Sequence, residues 1–148
     1  MTPGRVDLKV VADRTGAVRR MVAQLQALPT GSLEEFAADF RNAAAAESLL
    51  RRTIESLLDA ARHLLARGYG IGALEYREIA RVAAEKGLID DPGLRERFLQ
   101  IAGFRNRLTH FYDEVTTAEL QAILARNLAD LERLAVELEA AARRLASA

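Results

Sequence analysis

The stretch LQAILARNLADLERLAVELEAAARRL, Leu120 to Leu145, decides the fold class. Leu120, Ile123, Leu124, Leu131, Leu134, Leu138 and Leu145 recur at near-heptad spacing, which puts them on one face of a long helix. Glu132, Arg133, Glu137 and Glu139 fall outside that stripe, on a face expected to be solvated. A helix with one apolar stripe needs partners to bury it, so the rest of the chain should supply more helices. It does. Residues from about Val6 to Leu28 carry Val10, Val18, Met21, Val22, Leu25 and Leu28 at helical spacing, with Gly16 a weak point inside. A second helix is expected after Pro29-Thr30-Gly31-Ser32, where Ser32 and Glu35 form a capping-box pattern. It repeats Leu50, Ile54, Leu57, Ala61 and Leu64 inward, keeps Arg51, Glu55, Asp59 and Arg62 on its wet face, and should end near Gly68.

Tyr76, Ile79, Ala80 and Ala83 predict a short third helix stopped by Gly87. Asp91-Pro92 is a strong start for a fourth, which should run to about Tyr112. No segment alternates with period two. The expectation is an all-α, antiparallel up-and-down bundle of about five helices, formed as one domain over residues 1–148.

Composition narrows the function. Half the residues are apolar but only 5% are aromatic, and Lys+Arg and Asp+Glu balance at 21 each. A neutral chain does not coat nucleic acid by bulk charge, so any such role must rest on a local basic site. With no cysteine, disulfides and thiolate chemistry are excluded. His63 and His110 are the two histidines, too few for a histidine-built zinc site within one chain; no metal or cofactor is expected. No apolar run approaches a membrane span and no leader pattern opens the chain, so a soluble, cytoplasmic protein is expected.

The fourth helix breaks the pattern. Leu94, Phe98, Ile101 and Leu108 form an apolar stripe, yet Arg105 falls in its middle, as does Tyr112. A guanidinium stays charged and is costly to bury alone. Either Arg105 is buried with a partner, or the stripe opens there onto a cleft or another subunit. Asn106 and His110 are four apart, so their side chains can meet. His110 lies about 140° round the helix from Arg105. The two can serve one point only if they flank a groove or the helix frays near His110. Asp113-Glu114-Val115-Thr116 suggests an end there.

His63, beside Arg67 near the end of the second helix, suits a structural role as a positive group at the helix C-terminus. The glycines around Tyr69 are a connection, because no Gly-Lys-Ser/Thr follows. Asp90-Asp91 reads as a helix start rather than a metal site.

The run Gly103-Phe104-Arg105-Asn106-Arg107-Leu108-Thr109-His110-Phe111-Tyr112 resembles the R-N-x3-H-x-Y motif of the HepT-like proteins, a branch of the HEPN superfamily. Leu57 to Leu65, then Tyr76 to Ala80 with Gly87-Leu88-Ile89, resemble the family's upstream segments in the same order. The likeness spans roughly Leu49 to Leu138; Phe111 stands where the family often has an acidic residue. The resemblance implies a HEPN-like homodimer whose paired motif helices line a composite cleft. It also implies a metal-independent endoribonuclease acting as the toxin of a type II toxin–antitoxin pair. The antitoxin would be an MntA-like nucleotidyltransferase that can adenylylate the motif tyrosine. By position, Arg105 and His110 would be the catalytic pair, Asn106 would support them, and Tyr112 would accept AMP. Arg107, Arg95 and Arg97 would add positive potential for RNA. A different class of function stays open: a non-catalytic HEPN subunit that serves a nucleotidyltransferase.

Overall fold

A computed structural model of the chain describes residues 4–72, 74–110 and 115–148. Among them are seven helices and no strand: α1 (Leu8–Gln26), α2 (Leu33–Ala37), α3 (Phe40–Tyr69), α4 (Tyr76–Glu85), α5 (Pro92–Thr109), α6 (Thr117–Arg126) and α7 (Leu128–Ala146). The expected bundle is present, with two of its segments each divided in two. The Ser32 side chain does accept from the Glu35 N–H at 3.1 Å, but the helix it starts stops at Ala37. Asp39 then caps a fresh helix by accepting from the Arg41 N–H at 2.9 Å. Phe36, fully buried, anchors the turn between them. The last segment breaks at Asn127, which closes α6 and opens α7 with φ −118° and ψ 1°. Asparagine side chains compete for backbone partners, so they favour such ends.

The 30-residue α3 runs through the middle of the bundle. It packs against all six other helices, α1 and α2 before it and α4, α5, α6 and α7 after it. Leu50, Ile54, Leu57, Leu58, Leu64 and Leu65 are its buried row, and a single core cluster draws residues from all seven helices. The helix passes Gly68 and ends at Tyr69, where Gly70 takes the left-handed conformation at φ 69°. Gly70 and Ile71 N–H groups close on the Ala66 and Leu65 carbonyls at 3.1 and 3.0 Å, satisfying the last turn. Gly68 serves a different purpose: a Cβ there would stand 2.9 Å from Leu145 Cδ1, so α7 approaches closely at this point. None of these helices is long and apolar enough to cross a membrane.

Two expectations about polar residues need correction. Glu139 is not on a solvated face. It accepts from the buried Thr15 hydroxyl at 2.8 Å and from both Arg19 Nη atoms at 2.8 and 2.6 Å, tying α7 to α1. Arg19, with Thr15 assisting, holds the Glu139 carboxyl below the usual carboxylate range.

His63 is structural as expected, but not as a cation. Its Nε2 accepts the Asp7 N–H at 3.0 Å, which only the neutral imidazole can do, and Asp7 in turn caps α1 through the Lys9 N–H. Desolvation first, and then Arg67, push the His63 pKa down, while Asp7 pulls weakly the other way. A histidine with a depressed folded pKa contributes stability above its unfolded value, and that contribution is lost as pH falls through the folded value. Acidification below the ordinary histidine range, about 6.5, should therefore loosen the first turn of α1 before the rest of the bundle. Amide exchange at Lys9 to Val11, compared at neutral and acid pH, reads this directly. In His63→Ala the stability should drop by about 1 kcal/mol and the acid step should vanish. An acid step that survives in that variant would refute the assignment.

Candidate functional site

Asp91 starts α5 by accepting from the Gly93 and Leu94 N–H groups at 2.8 and 3.3 Å, with Pro92 in the first turn. Leu94, Phe98, Ala102 and Leu108 are the residues α5 buries, which fixes the helix rotation. That rotation turns Arg105 towards α3 and α4. Its side chain is 21% exposed, and its Nε and Nη2 both donate to Glu55 Oε1, at 3.3 and 3.2 Å. The same oxygen accepts from Arg51 Nη1 at 3.2 Å. The Arg105 guanidinium carbon also lies 4.5 Å from the centroid of the Tyr76 ring, within cation–π range. Both alternatives left open by the sequence hold together: Arg105 has a half-buried partner, and the stripe opens onto a cleft.

That cleft, about 600 Å³, is walled by Arg105, Asn106 and His110 from the end of α5. Arg62 of α3 and the segment from Leu74 to Arg77 close the other side. The helix ends at Thr109, and His110 follows with extended backbone at φ −105° and ψ 109°. His110 and Arg105 line one cleft at the point where the helix ends. Among the described residues the lining carries three guanidiniums, the imidazole and the Glu75 carboxylate, with Glu55 and Asp59 paired behind Arg105 and Arg62.

Behind the cleft lies a charged row of α3. The Tyr76 hydroxyl donates to Asp59 Oδ1 at 2.8 Å, and burial, reinforced by Asp59, raises the phenol pKa, so Tyr76 remains a neutral phenol. Arg62 Nη1 lies 3.5 Å from Asp59, and its Nη2 donates to the Leu74 carbonyl at 3.4 Å. Glu55, Asp59 and Arg62 had been placed on a solvated face; they instead support Arg105 and the wall of the cleft. The readable signal was their alternating charge at helical spacing, which marks a row that pairs across a groove as well as one that faces water.

The other sequence candidates sit elsewhere. Arg107 makes a two-pronged pair with Glu119 at 2.7 and 3.1 Å, joining α5 to α6 and holding the Glu119 carboxyl below its usual range. Arg95 caps carbonyls of the preceding loop, Ile89 at 2.6 Å and Asp90 at 2.9 Å. Arg97 pairs with Asp130 of α7 at 3.1 Å. None of the three lines the cleft. Tyr112 lies outside the described residues.

A family model described as Ribonuclease HepT-like matches residues 18–138, extending upstream of the motif-bearing region into α1. Similar solved structures include a tri-AMPylated Shewanella oneidensis HEPN toxin in complex with an MNT antitoxin. It has TM-score 0.78 and 21% identity, covering 88% of this chain and 97% of that one. A toxin–antitoxin complex with AMP-PNP superposes with TM-score 0.75 at 20% identity, over 87% of this chain and 97% of the other. A mutant MntA–HpeT toxin–antitoxin gives TM-score 0.75 at 22% identity, over 88% and 98%. No curated protein matches the sequence significantly.

Proposed function

The chain belongs to the HepT-like ribonuclease family, and from that membership we propose that it is an RNA-cleaving toxin whose reaction runs in the Arg105/His110 cleft. The observation that supports this reading is that Arg105 and His110 line one cleft at the end of α5. Cleaving RNA by attack of the ribose 2′-OH needs a base at that hydroxyl, an acid at the leaving 5′-oxygen, and a cation at the phosphorane between them. Arg105 supplies the cation. Glu55 engages its Nε and Nη2, which leaves the Nη1 donors for a phosphate oxygen and fixes the plane in which they lie.

His110 takes the 2′-OH proton. Each chain brings one histidine to this cleft, so the complete acid–base pair calls for a second copy, its His110 protonating the leaving oxygen. Asn106, on the same wall, orients the substrate or the imidazole. The product carries a 2′,3′-cyclic phosphate, and no step draws on a metal. Arg107, Arg95 and Arg97, engaged within the chain, contribute only a long-range field.

The partner in this reading is a nucleotidyltransferase antitoxin that transfers AMP to Tyr112. The tri-AMPylated HEPN toxin among the similar structures supports it. An anionic AMP two residues from His110 would compete with RNA for the cleft's arginines.

Purified protein freed of any partner should cut single-stranded RNA in EDTA. After co-expression with the nucleotidyltransferase, intact mass should rise by one or more AMP units on Tyr112, and cutting should stop. Protein that cuts no RNA in EDTA would favour a non-catalytic binding subunit instead.

A further inference from the structure

Arg62 shares the Tyr76 ring with Arg105. Its guanidinium carbon stands 4.6 Å from the Tyr76 centroid, on the same ring that Arg105 approaches to 4.5 Å. The hydrogen bond and ion pair that Arg62 makes are long, 3.4 Å to the Leu74 carbonyl and 3.5 Å to Asp59. Its Nε is buried with no hydrogen-bond partner among the described residues. The side chain is nevertheless 42% exposed and lines the cleft. Neutral phenol and guanidinium are packed firmly, while the charge is weakly answered. The buried Nε is out of an anion's reach, but the Nη groups, held only by these long contacts, are donors that an anion in the cleft can take over.

The position says which anion. Arg62 and Arg105 both touch one ring, so their guanidinium carbons lie no further apart than the sum of two ring-contact distances. The spacing of successive phosphates along one strand falls within that limit. Arg77 stands on the same wall at the rim, its Nε 3.9 Å from Glu75, and extends the positive edge outward. Tyr76, taken up by two cations and by Asp59, is not available to stack a base. Guanidiniums at this end of the cleft would contact the backbone of a strand, which carries no sequence preference.

We infer that Arg62, seated on Tyr76, forms a second phosphate subsite beside Arg105, so that the cleft takes two consecutive phosphodiesters of single-stranded RNA. Tyr76 is a positioning residue shared by both arginines. This rests on the reading of the cleft as an RNA-cleaving site, and a binding measurement separates the two. The probes are single-stranded oligonucleotides with 2′-O-methyl riboses, which have no 2′-OH to attack, carrying either one or two internal phosphates. The wild-type protein should bind the two-phosphate probe about tenfold more tightly. In Arg62→Gln that ratio should fall close to one, and the salt dependence of binding to the longer probe should lose about one unit of slope. Arg62→Lys, which keeps the charge, should restore most of the slope.

Equal affinity of the wild-type protein for both probes would overturn the inference whatever the variants do. So would an Arg62→Gln variant, shown folded by its melting curve, that weakens both probes equally. RNA cleavage by the wild-type protein in EDTA is measured alongside. Loss of the two-phosphate preference with cleavage intact sinks the subsite alone. A preserved preference with no cleavage sinks the catalytic reading and leaves the subsite standing.

Discussion

Replacing His110 with alanine is expected to lower RNA cleavage by about 10²–10⁴-fold with little change in folding. The side chain is exposed and sits after the last residue of α5, so it fills no core space that alanine would leave empty. Exposed substitutions of this kind usually move stability by less than about 0.5 kcal/mol. The loss should therefore appear in the single-turnover rate, with the melting temperature nearly unchanged. Because a two-fold assembly would give each cleft two copies, mixing wild-type and His110→Ala chains should also lower activity more than simple dilution does. Activity proportional to the wild-type fraction would show that each chain works alone. A His110→Ala protein as active as the wild type would remove the acid–base mechanism altogether.

Arg105→Gln should cost about 10²–10³-fold in cleavage, by a different route and with a different signature. The phosphorane loses its cation, so kcat falls. The fold also feels the change, since Arg105 is half-buried between Glu55 and Tyr76. Glu55 keeps Arg51 as a partner, which limits the penalty of an unpaired carboxylate. Loss of the ring contact and of one part-buried pair should lower stability by about 1–2 kcal/mol. Arg105→Lys separates charge from geometry: the charge survives but the planar fork that Glu55 orients does not, so cleavage should stay well below wild type. Full activity in Arg105→Lys would mean that any cation suffices and that Glu55 does not orient it.

The chain announced its helices through periodicity and its connections through glycine, proline and capping residues. What it hid has a physical cause in each case. The break at Asn127 interrupts an apolar stripe that continues through Leu124, Leu128 and Leu131, so the period carries no trace of it. The short α2 merged with α3 because Ser32 gives a genuine start signal and only Asp39 reveals the restart.

Of the site, Arg105 was visible because it interrupts a hydrophobic row, and His110 through its spacing from Asn106 and its place in the motif. That both line one cleft depends on where α5 ends and on what packs beside it, which spacing alone does not give. Glu55, Asp59, Arg62 and Tyr76 were read as an ordinary wet face and an inward residue. Their roles depend on which side of α3 meets α4 and α5, and spacing within one helix does not encode that choice. Glu139 was misplaced for the same reason, its partners being on α1.

The central claim is that the Arg105/His110 cleft cuts RNA by attack of the 2′-OH. An otherwise deoxy oligonucleotide with a single ribose tests it most directly, incubated in EDTA with purified protein freed of its partner. The account predicts one cut, on the 3′ side of that ribose, leaving a 2′,3′-cyclic phosphate, and no cut when the ribose is replaced by deoxyribose. Cleavage of the all-deoxy strand, or cleavage of the single-ribose strand only when a divalent metal is restored, would contradict it.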